Sequence, residues 1–241
     1  MTNAEICERL FSRSRIVILS GHAGSGKTEI AVNIALELSR GAPAAIADFD
    51  IINPFFRTVD ARAALERAGV RIVAPQFAGT NVEIPALPGE VRHLFDDASE
   101  RAVFDVGGDD LGAKAVSSFR DAFLAAGASH IFVFNARRPL TSTVEKAVAA
   151  FNEIQSSARV PFSAVANNTH LLGHTTPADL SEGFAAALEL SARVGLPLAF
   201  NALMAPESRA SGAPFAPFLD HSSELGIPVL QLRKHITMEY K

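Results

Sequence analysis

Several residue types are missing or nearly missing from this sequence. It has no tryptophan, one tyrosine and a single cysteine, Cys7, so an internal disulfide framework is excluded. The apolar neighbours of Cys7 predict that its thiol packs within an N-terminal helix rather than reacting. No apolar run approaches the ~18 residues of a membrane span, and the N-terminal segment lacks the apolar region of a signal peptide. We therefore expect a cytoplasmic protein.

An excess of positive charge is also lacking. The 241 residues carry a net charge of −4, and their lysines and arginines are dispersed, so neither nucleic acid nor anionic membrane is an expected partner. Hydrophobic residues make up 48% and charged residues 20% of the sequence, which is typical of a globular protein. At this length we expect a single domain over residues 1–241.

Short apolar runs alternate with longer helical patterns along the whole chain. Most of the runs are continuously apolar, as expected for strands that helices cover on both faces. The predicted fold class is α/β, with a doubly wound, mostly parallel sheet of about seven or eight strands flanked by helices. The predicted strands are residues 15–19, 44–48, 71–74, 102–105, 131–135, 162–167, 198–203 and 228–232.

Capping patterns indicate where two of the longer helices begin. Ser142 and Glu145 have the spacing of a capping box ahead of an apolar helical pattern. Thr176 followed by Pro177 is typical of an N-cap and first helical residue, and the pattern that follows is predicted to end at Gly195.

The most informative segment lies between the first apolar run and a helix-forming stretch, where residues 21–28 match G-x-x-x-x-G-K-[ST]. Glycines in such a loop allow consecutive backbone N–H groups to converge on phosphate oxygens, and the helix N-terminus adds positive potential. The lysine reaches the β- and γ-phosphates, and the threonine hydroxyl binds Mg²⁺. The predicted nucleoside triphosphate site consists of Gly21, His22, Ala23, Gly24, Ser25, Gly26, Lys27 and Thr28.

Two acidic segments at the ends of other apolar runs are expected to complete this site. Asp105 ends the fourth run and is followed by two glycines, an arrangement typical of a Walker B acid that binds Mg²⁺ directly or through water. Asp48 and Asp50 follow the second run with i, i+2 spacing and would share one face of a continuing strand. Because Pro54 prevents a helix directly after Asp50, the following loop is predicted to be a switch over the phosphates.

The order of these motifs resembles that of the MinD/ParA-like ATPases and the nitrogenase iron protein. The chain has first the P-loop, then an Asp-x-Asp segment ending at Asp50, then an Asp-x-Gly-Gly segment starting at Asp105. The resemblance covers roughly residues 16–203 and is strongest to a bacterial branch of ATP-binding proteins without a settled role. That branch also has a glutamate like Glu29 after the P-loop, so the resemblance implies that Glu29 is a further residue of the nucleotide site. The resemblance implies that Asp50 orients the attacking water, that Asp105 is the Walker B acid and that Asp48 supports them.

These residues give the main hypothesis, a slow Mg²⁺-dependent ATPase that acts as a nucleotide switch. Lys27 and the loop amides would hold the phosphates, and Asp50 would position water. The predicted catalytic residues are Lys27, Asp50 and Asp105, and the predicted Mg²⁺ site consists of Thr28, Asp50 and Asp105.

His22 departs from the MinD/ParA pattern. The ATPases that the chain resembles have a signature lysine at this position, which reaches the phosphates of the other subunit in a dimer. Histidine is shorter and, with an unperturbed pKa of ~6.5, is mostly neutral at pH 7. A nucleotide-controlled homodimer is therefore a hypothesis only, beside a protein partner of unknown identity.

The end of the sixth apolar run bears on which base is bound. GTP-specific P-loop proteins have N-K-x-D here, whereas residues 167–170 have Asn168 in place of the lysine and His170 in place of the aspartate. Asn167 can pair with the edge of adenine or simply cap the strand end. The resemblance implies that a loop ending at Pro206 closes over the base. We predict ATP and ADP as ligands, contacted by Asn167, Asn168 and Pro206.

Two alternative functions remain open on the sequence alone. A small-molecule kinase or an ATP-dependent ligase on the same fold would need an acceptor pocket, for which Arg57, Arg137 and Arg138 are candidates. A GTPase metal-insertion chaperone has a similar P-loop, but the chain lacks N-K-x-D, a cysteine pair and a histidine spacing suited to zinc.

Nucleotide preference gives a first testable prediction. ATP with Mg²⁺ should raise the thermal unfolding midpoint, because a ligand that binds only the folded state at 100 times its Kd stabilises it by about 2.7 kcal/mol. GTP at the same concentration should raise it less. Differential scanning fluorimetry with ATP, ADP, GTP and GDP measures the difference, and a shift with GTP but none with ATP would contradict the prediction.

Overall fold

The computed structural model describes residues 1–50, 61–73, 89–108, 110–204 and 215–236. In these ranges the chain forms eight strands, all within one sheet. The strands are β1 Ile16–Ser20, β2 Ala44–Phe49, β3 Arg71–Val73, β4 Arg101–Val106, β5 Ser129–Phe134, β6 Ala164–Asn167, β7 Leu198–Met204 and β8 Val229–Leu232.

Every neighbouring pair of strands is parallel, and the order across the sheet is β3-β2-β4-β1-β5-β6-β7-β8. The predicted α/β class, the parallel sheet and the number of strands are therefore confirmed. All eight predicted strands exist, each within two residues of its expected bounds. Their continuous apolar character was sufficient to locate them because both faces of the sheet are covered.

Helices connect the strands across both faces of the sheet. None of the helices in the described ranges is long and apolar enough to cross a bilayer. These helices are α1 Asn3–Leu10, α2 Lys27–Leu38, α3 Arg62–Arg67, α4 Gly89–Asp96, α5 Asp110–Ser118, α6 Arg120–Ala125, α7 Val144–Ala158, α8 Pro177–Val194 and α9 Ala216–Glu224.

The caps of α7 and α8 test the predicted helix starts. The α8 prediction is confirmed, because Thr176 caps the helix in a capping box with Asp179, and Gly195 ends it in a left-handed conformation. The α7 prediction is wrong by one residue. Thr143, not Ser142, accepts the cap hydrogen bond, from the backbone N–H of Lys146, because residues 139–141 form a 3₁₀ turn that delays the start of the helix.

Alternate residues of each central strand pack on opposite faces of the sheet. On β1, Val17 and Leu19 join the core formed with α1 and α2, whereas Ile16 and Ile18 join the core formed with α4, α5 and α6. All four are fully buried. A strand with two buried faces cannot show the polar alternation of a one-sided sheet, which explains the continuous apolar runs in the sequence.

Five phenylalanine rings form a cluster between the sheet and the helices α4 to α6. Phe104 on β4 contacts Phe49 and Phe123 edge to face, with ring centroids 5.2 Å and 4.9 Å away. Phe95 and Phe119 complete the cluster. Edge-to-face pairs add stabilisation beyond the area that they bury. The cluster lies directly beneath the end of β4, so it fixes the strand that carries Asp105.

The phenylalanine cluster gives a stability prediction. Phe104→Ala should lower the free energy of unfolding by about 3–5 kcal/mol, because a fully buried ring is lost and a cavity remains. Leu124→Ala on α6 is the matched control. Leu124 is 42% exposed, so its truncation should change stability by about 0.5 kcal/mol at most. Urea unfolding measures both, and equal effects would contradict the assignment of Phe104 to the core.

Candidate functional site

The P-loop joins β1 to α2 at the carboxyl edge of the sheet. Gly26 precedes the helix with φ = 87°, a left-handed conformation that favours glycine, and α2 begins at Lys27. Ser25 N–H donates to the carbonyl of His22 at 3.1 Å, which closes the loop. The Lys27 Nζ donates to the same carbonyl at 3.1 Å and is buried. The loop therefore holds a buried ammonium beside the amino end of a 12-residue helix, a combination that favours anions.

Thr28 follows in the first turn of α2. Its side chain is buried, and its hydroxyl oxygen has no hydrogen-bond partner among the described residues. A buried hydroxyl without a partner is uncommon, since its desolvation is not compensated. A hydroxyl at this position of a P-loop can bind Mg²⁺, so the residues present fit the predicted ion.

Asp105 lies on β4, the strand adjacent to β1. It is 1% exposed, and its Cα pairs with Leu19 on β1 and with Asp48 on β2. Parallel strands in register point paired side chains to the same side, so the carboxylates of Asp48 and Asp105 are neighbours on one face. The structure thus brings the two predicted acidic segments together and gives Asp48 a more central position than the sequence indicated.

Asp50 follows β2 and contacts the Asp-x-Gly-Gly segment. Its backbone N–H donates to Asp48 Oδ1 at 3.0 Å, and Gly107 N–H donates to the carbonyl of Phe49 at 3.2 Å. A Cβ on Gly107 would lie 3.2 Å from Asp50 Oδ1, so the two residues are in contact. The predicted switch loop after Asp50, including Pro54 and Arg57, lies outside the described residues.

Gly108 brings this acidic segment against the P-loop. A Cβ added to Gly108 would lie 2.2 Å from the backbone nitrogen of Ala23 and 2.6 Å from the carbonyl carbon of His22. Only glycine permits backbones to approach so closely. Gly107 therefore contacts Asp50 while Gly108 contacts the P-loop, and three segments that are distant in sequence form one site.

Asn168 and Asn167, at the end of β6, have different surroundings. Asn168 Nδ2 donates to the carbonyl of Ser25 in the P-loop at 2.7 Å, and its Oδ1 is buried without a hydrogen-bond partner in the described ranges. Asn167 is buried within a polar network, donating to Asn201 Oδ1 at 2.8 Å and accepting from the backbone and hydroxyl of Thr169. Asn168 thus contacts the phosphate loop, whereas base pairing by Asn167 would require it to leave this network. Pro206 lies outside the described residues.

Glu29, predicted from the resemblance to line the nucleotide site, binds the chain after β8. Its carboxylate accepts from the backbone N–H of His235 at 2.6 Å and of Ile236 at 3.3 Å, and burial raises its pKa. One turn later, Asn33 exchanges two hydrogen bonds with the backbone of Arg233. The segment from Arg233 to Ile236 is therefore fastened to the first turns of α2. No sequence pattern indicated this contact.

His130 contacts Ser20, the residue directly before the P-loop, and no sequence pattern predicted this role. Its ring is fully buried, with Nε2 2.8 Å from Ser20 Oγ and Nδ1 2.9 Å from the carbonyl of Val160. Burial lowers the pKa of His130 to about 4, so it is neutral at pH 7. A neutral ring that donates to Val160 accepts from Ser20, the last residue before the P-loop.

Metal ligation by the protein alone has little support in the described ranges. No three His, Cys, Asp or Glu side chains within them converge as a metal site would require. Mg²⁺ bound here would therefore depend on the Thr28 hydroxyl, a carboxylate and oxygen atoms from outside the chain, which is common for this ion.

Comparison with solved structures places the fold among P-loop NTPases. The chain is similar to chloroplast FtsY from Physcomitrella patens, with 15% identity, TM-score 0.58, and coverage of 90% of this chain and 72% of that one. Cell division protein FtsY from Thermotoga maritima matches with 15% identity, TM-score 0.51, and coverage of 83% and 68%. The signal recognition particle receptor FtsY from Elizabethkingia anophelis, in complex with GDP, matches with 18% identity, TM-score 0.50, and coverage of 81% and 63%.

At these identities the likeness establishes the fold alone, an α/β fold of the P-loop NTPase kind. No protein-family model and no curated protein matches the sequence. The narrower resemblance to MinD/ParA remains a prediction.

The contact between Gly108 and the P-loop gives a further prediction. Gly108→Ala should lower the free energy of unfolding by about 1–3 kcal/mol, as overpacking does, and should weaken binding of phosphate ligands because the added methyl displaces the backbone of Ala23. Gly41→Ala is the control, since a Cβ there meets nothing within 4 Å. Thermal melts and ATP titrations of both variants measure the effect. Wild-type behaviour of Gly108→Ala would show that the contact is not required.

Proposed function

We propose that this protein binds ATP with Mg²⁺ and hydrolyses it slowly, acting as a nucleotide switch of the MinD/ParA type. The observation that carries the proposal is the junction of three segments. Gly108 lies against Ala23 of the P-loop, and Gly107 of the same segment lies against Asp50. A phosphate-binding loop, a buried strand-end acid and a second acid beside both are the parts that P-loop hydrolysis requires.

Phosphate binding is assigned to the P-loop. The amides before α2 and the Lys27 ammonium would neutralise phosphate oxygens, supported by the positive end of the helix dipole. Thr28 and Asp105 would hold Mg²⁺, with Asp50 as a further candidate ligand. Bound Mg²⁺ would neutralise negative charge on the phosphate oxygens.

Asp50 is the candidate for orienting the attacking water. Its carboxylate adjoins Gly107, and the hydrogen bond from its backbone to Asp48 fixes the turn that presents it. A carboxylate held in this way can accept a hydrogen bond from water and so direct a lone pair of the water oxygen towards phosphorus. Asp48 acts here as a positioning residue.

ATP rather than GTP is supported by the end of β6. His170 occupies the position where guanine-specific proteins have an aspartate. Its pKa is lowered to about 4, mainly by burial and in addition by the positive charge of Arg138. A neutral imidazole cannot accept the two guanine N–H groups that a carboxylate accepts. The FtsY of Elizabethkingia anophelis binds GDP in its solved complex, so binding of guanine nucleotides is the alternative outcome of the nucleotide panel.

The proposal includes a homodimer only because the resemblance to the MinD/ParA-like ATPases implies one. His22 replaces the signature lysine, so contact with a second subunit's phosphates would depend on other residues. Size-exclusion chromatography with and without ATP, using Asp50→Ala to slow turnover, tests dimer formation separately from binding.

Asp50→Ala should reduce ATP turnover by about 10²-fold or more, because the group that orients water is removed. ATP affinity should remain within a few-fold of wild type, since Lys27 and the loop amides are intact. Phosphate release at saturating ATP and calorimetric titration measure the two quantities.

The controls for this experiment separate hydrolysis from binding. Lys27→Ala should lose ATP binding itself, whereas Asp220→Ala on the exposed face of α9 should leave both quantities unchanged. Wild-type turnover by Asp50→Ala would remove Asp50 from the reaction. ATP binding that survives Lys27→Ala unchanged would argue against the P-loop as the site.

A further inference from the structure

Two adjacent arginines after β5 have opposite surroundings. Arg137 Nε donates to Asp179 Oδ1 at 2.7 Å, and its Nη2 donates to Glu182 Oε2 at 2.5 Å, so its charge is balanced by the start of α8. No hydrogen bond or ion pair joins the guanidinium of Arg138 to any residue in the described ranges, and its Nε is buried. The sequence did not distinguish these neighbours.

Arg138 lies against the P-loop. A Cβ added to Gly24 would be 3.3 Å from Arg138 Nε and 3.5 Å from its Cζ, so the guanidinium rests on the middle of the loop. Gly24 has φ = 76°, a left-handed conformation that favours glycine, and a Cβ at this position would be in tight contact with the arginine. The loop and the guanidinium therefore form one surface.

The backbone that carries Arg138 is well fixed. Its N–H donates to the carbonyl of Asn135 at 3.3 Å, and its carbonyl accepts from the N–H of Thr141 at 3.0 Å. The hydroxyl of Thr141 donates to the Asn135 carbonyl at 2.7 Å, and Pro139 follows directly. A turn held by three hydrogen bonds limits the positions that the side chain can reach.

Positive charge is therefore concentrated around the P-loop where Arg138 contacts Gly24. Arg138 joins the buried ammonium of Lys27 and the amino end of α2, and no carboxylate in the described ranges forms an ion pair with it. A partly buried guanidinium with a buried N–H and no acceptor is costly unless an anion binds it. Its planar fork of donors suits two phosphate oxygens at once.

Building on the proposed function, we propose that Arg138 is a second cationic ligand of the nucleotide's phosphate chain, binding it from the Gly24 side of the P-loop. Lys27 and Arg138 then bind the phosphates from different segments, one from α2 and one from the turn after β5. Arg137 has no such role and instead ties this turn to α8.

Calorimetric titration with ATP and with inorganic tripolyphosphate tests the proposal in wild type, Arg138→Gln and Arg137→Gln. Arg138→Gln should weaken binding of both ligands by about 10- to 100-fold, the loss expected for a charge-assisted hydrogen-bond pair. Arg137→Gln should bind both ligands as wild type does, although its melting temperature falls because Asp179 and Glu182 lose their partner. Arg138→Lys should recover part of the affinity, since the charge remains but the fork is lost.

Salt dependence adds a readout that a purely structural brace would not change. The affinity of wild type for tripolyphosphate should fall more steeply with ionic strength than that of Arg138→Gln, because one fewer charge contacts the ligand. Circular dichroism and thermal melts of each variant confirm that it is folded before titration.

Three outcomes overturn the inference. Equal affinities of Arg138→Gln and Arg137→Gln for both ligands would show that Arg138 does not contact the phosphates. A loss for ATP without a loss for tripolyphosphate would assign Arg138 to the base or ribose instead. Wild type that binds neither ligand would refute the proposed function itself, and this result is distinct because it appears before any arginine is changed.

Discussion

The candidate site depends on the close approach of two stretches of backbone, Gly108 in the Asp-x-Gly-Gly segment and Ala23 in the P-loop. No side chain fits between them, so their relative position is set by main-chain geometry and not by adaptable packing. Because β4 and β1 are adjacent strands, the sheet brings both loops to the same edge. Gly107 then positions Asp50, so one dipeptide links the phosphate loop to both acidic segments.

Much of this arrangement could be predicted from sequence because its signals are local. Continuous apolar runs located all eight strands of the described ranges, and the P-loop pattern and the strand-end acids identified segments that the sheet brings to one edge. Features that depend on the tertiary structure could not be predicted in this way. The cap of α7 is Thr143 and not Ser142 because a 3₁₀ turn precedes it, and a spacing rule cannot detect that turn. Likewise, Asn167 and Asn168 are adjacent in sequence, yet only the fold shows that Asn201 binds one and Ser25 the other.

Charged groups in the site are distributed by segment. The carboxylates come from β2 and β4 on one side of β1, whereas Arg138 comes from the turn after β5 on its other side. Carboxylates and the guanidinium therefore reach the P-loop from opposite sides of β1, a distribution that suits a ligand carrying both phosphate and Mg²⁺. His130, neutral and buried beneath Ser20, anchors the start of the loop between the two groups without adding charge.

The hydrogen bonds from the backbone of His235 and Ile236 to the Glu29 carboxylate join the segment after β8 to the first turn of α2. An amide bonded to a buried carboxylate exchanges its hydrogen with solvent only when that bond opens. Since Glu29 immediately follows Thr28, any ligand that steadies the first turn of α2 must also slow that opening, by reciprocal linkage. The hydrogen-exchange rate of the His235 amide thus reports ligand binding at the P-loop, without a label in the site.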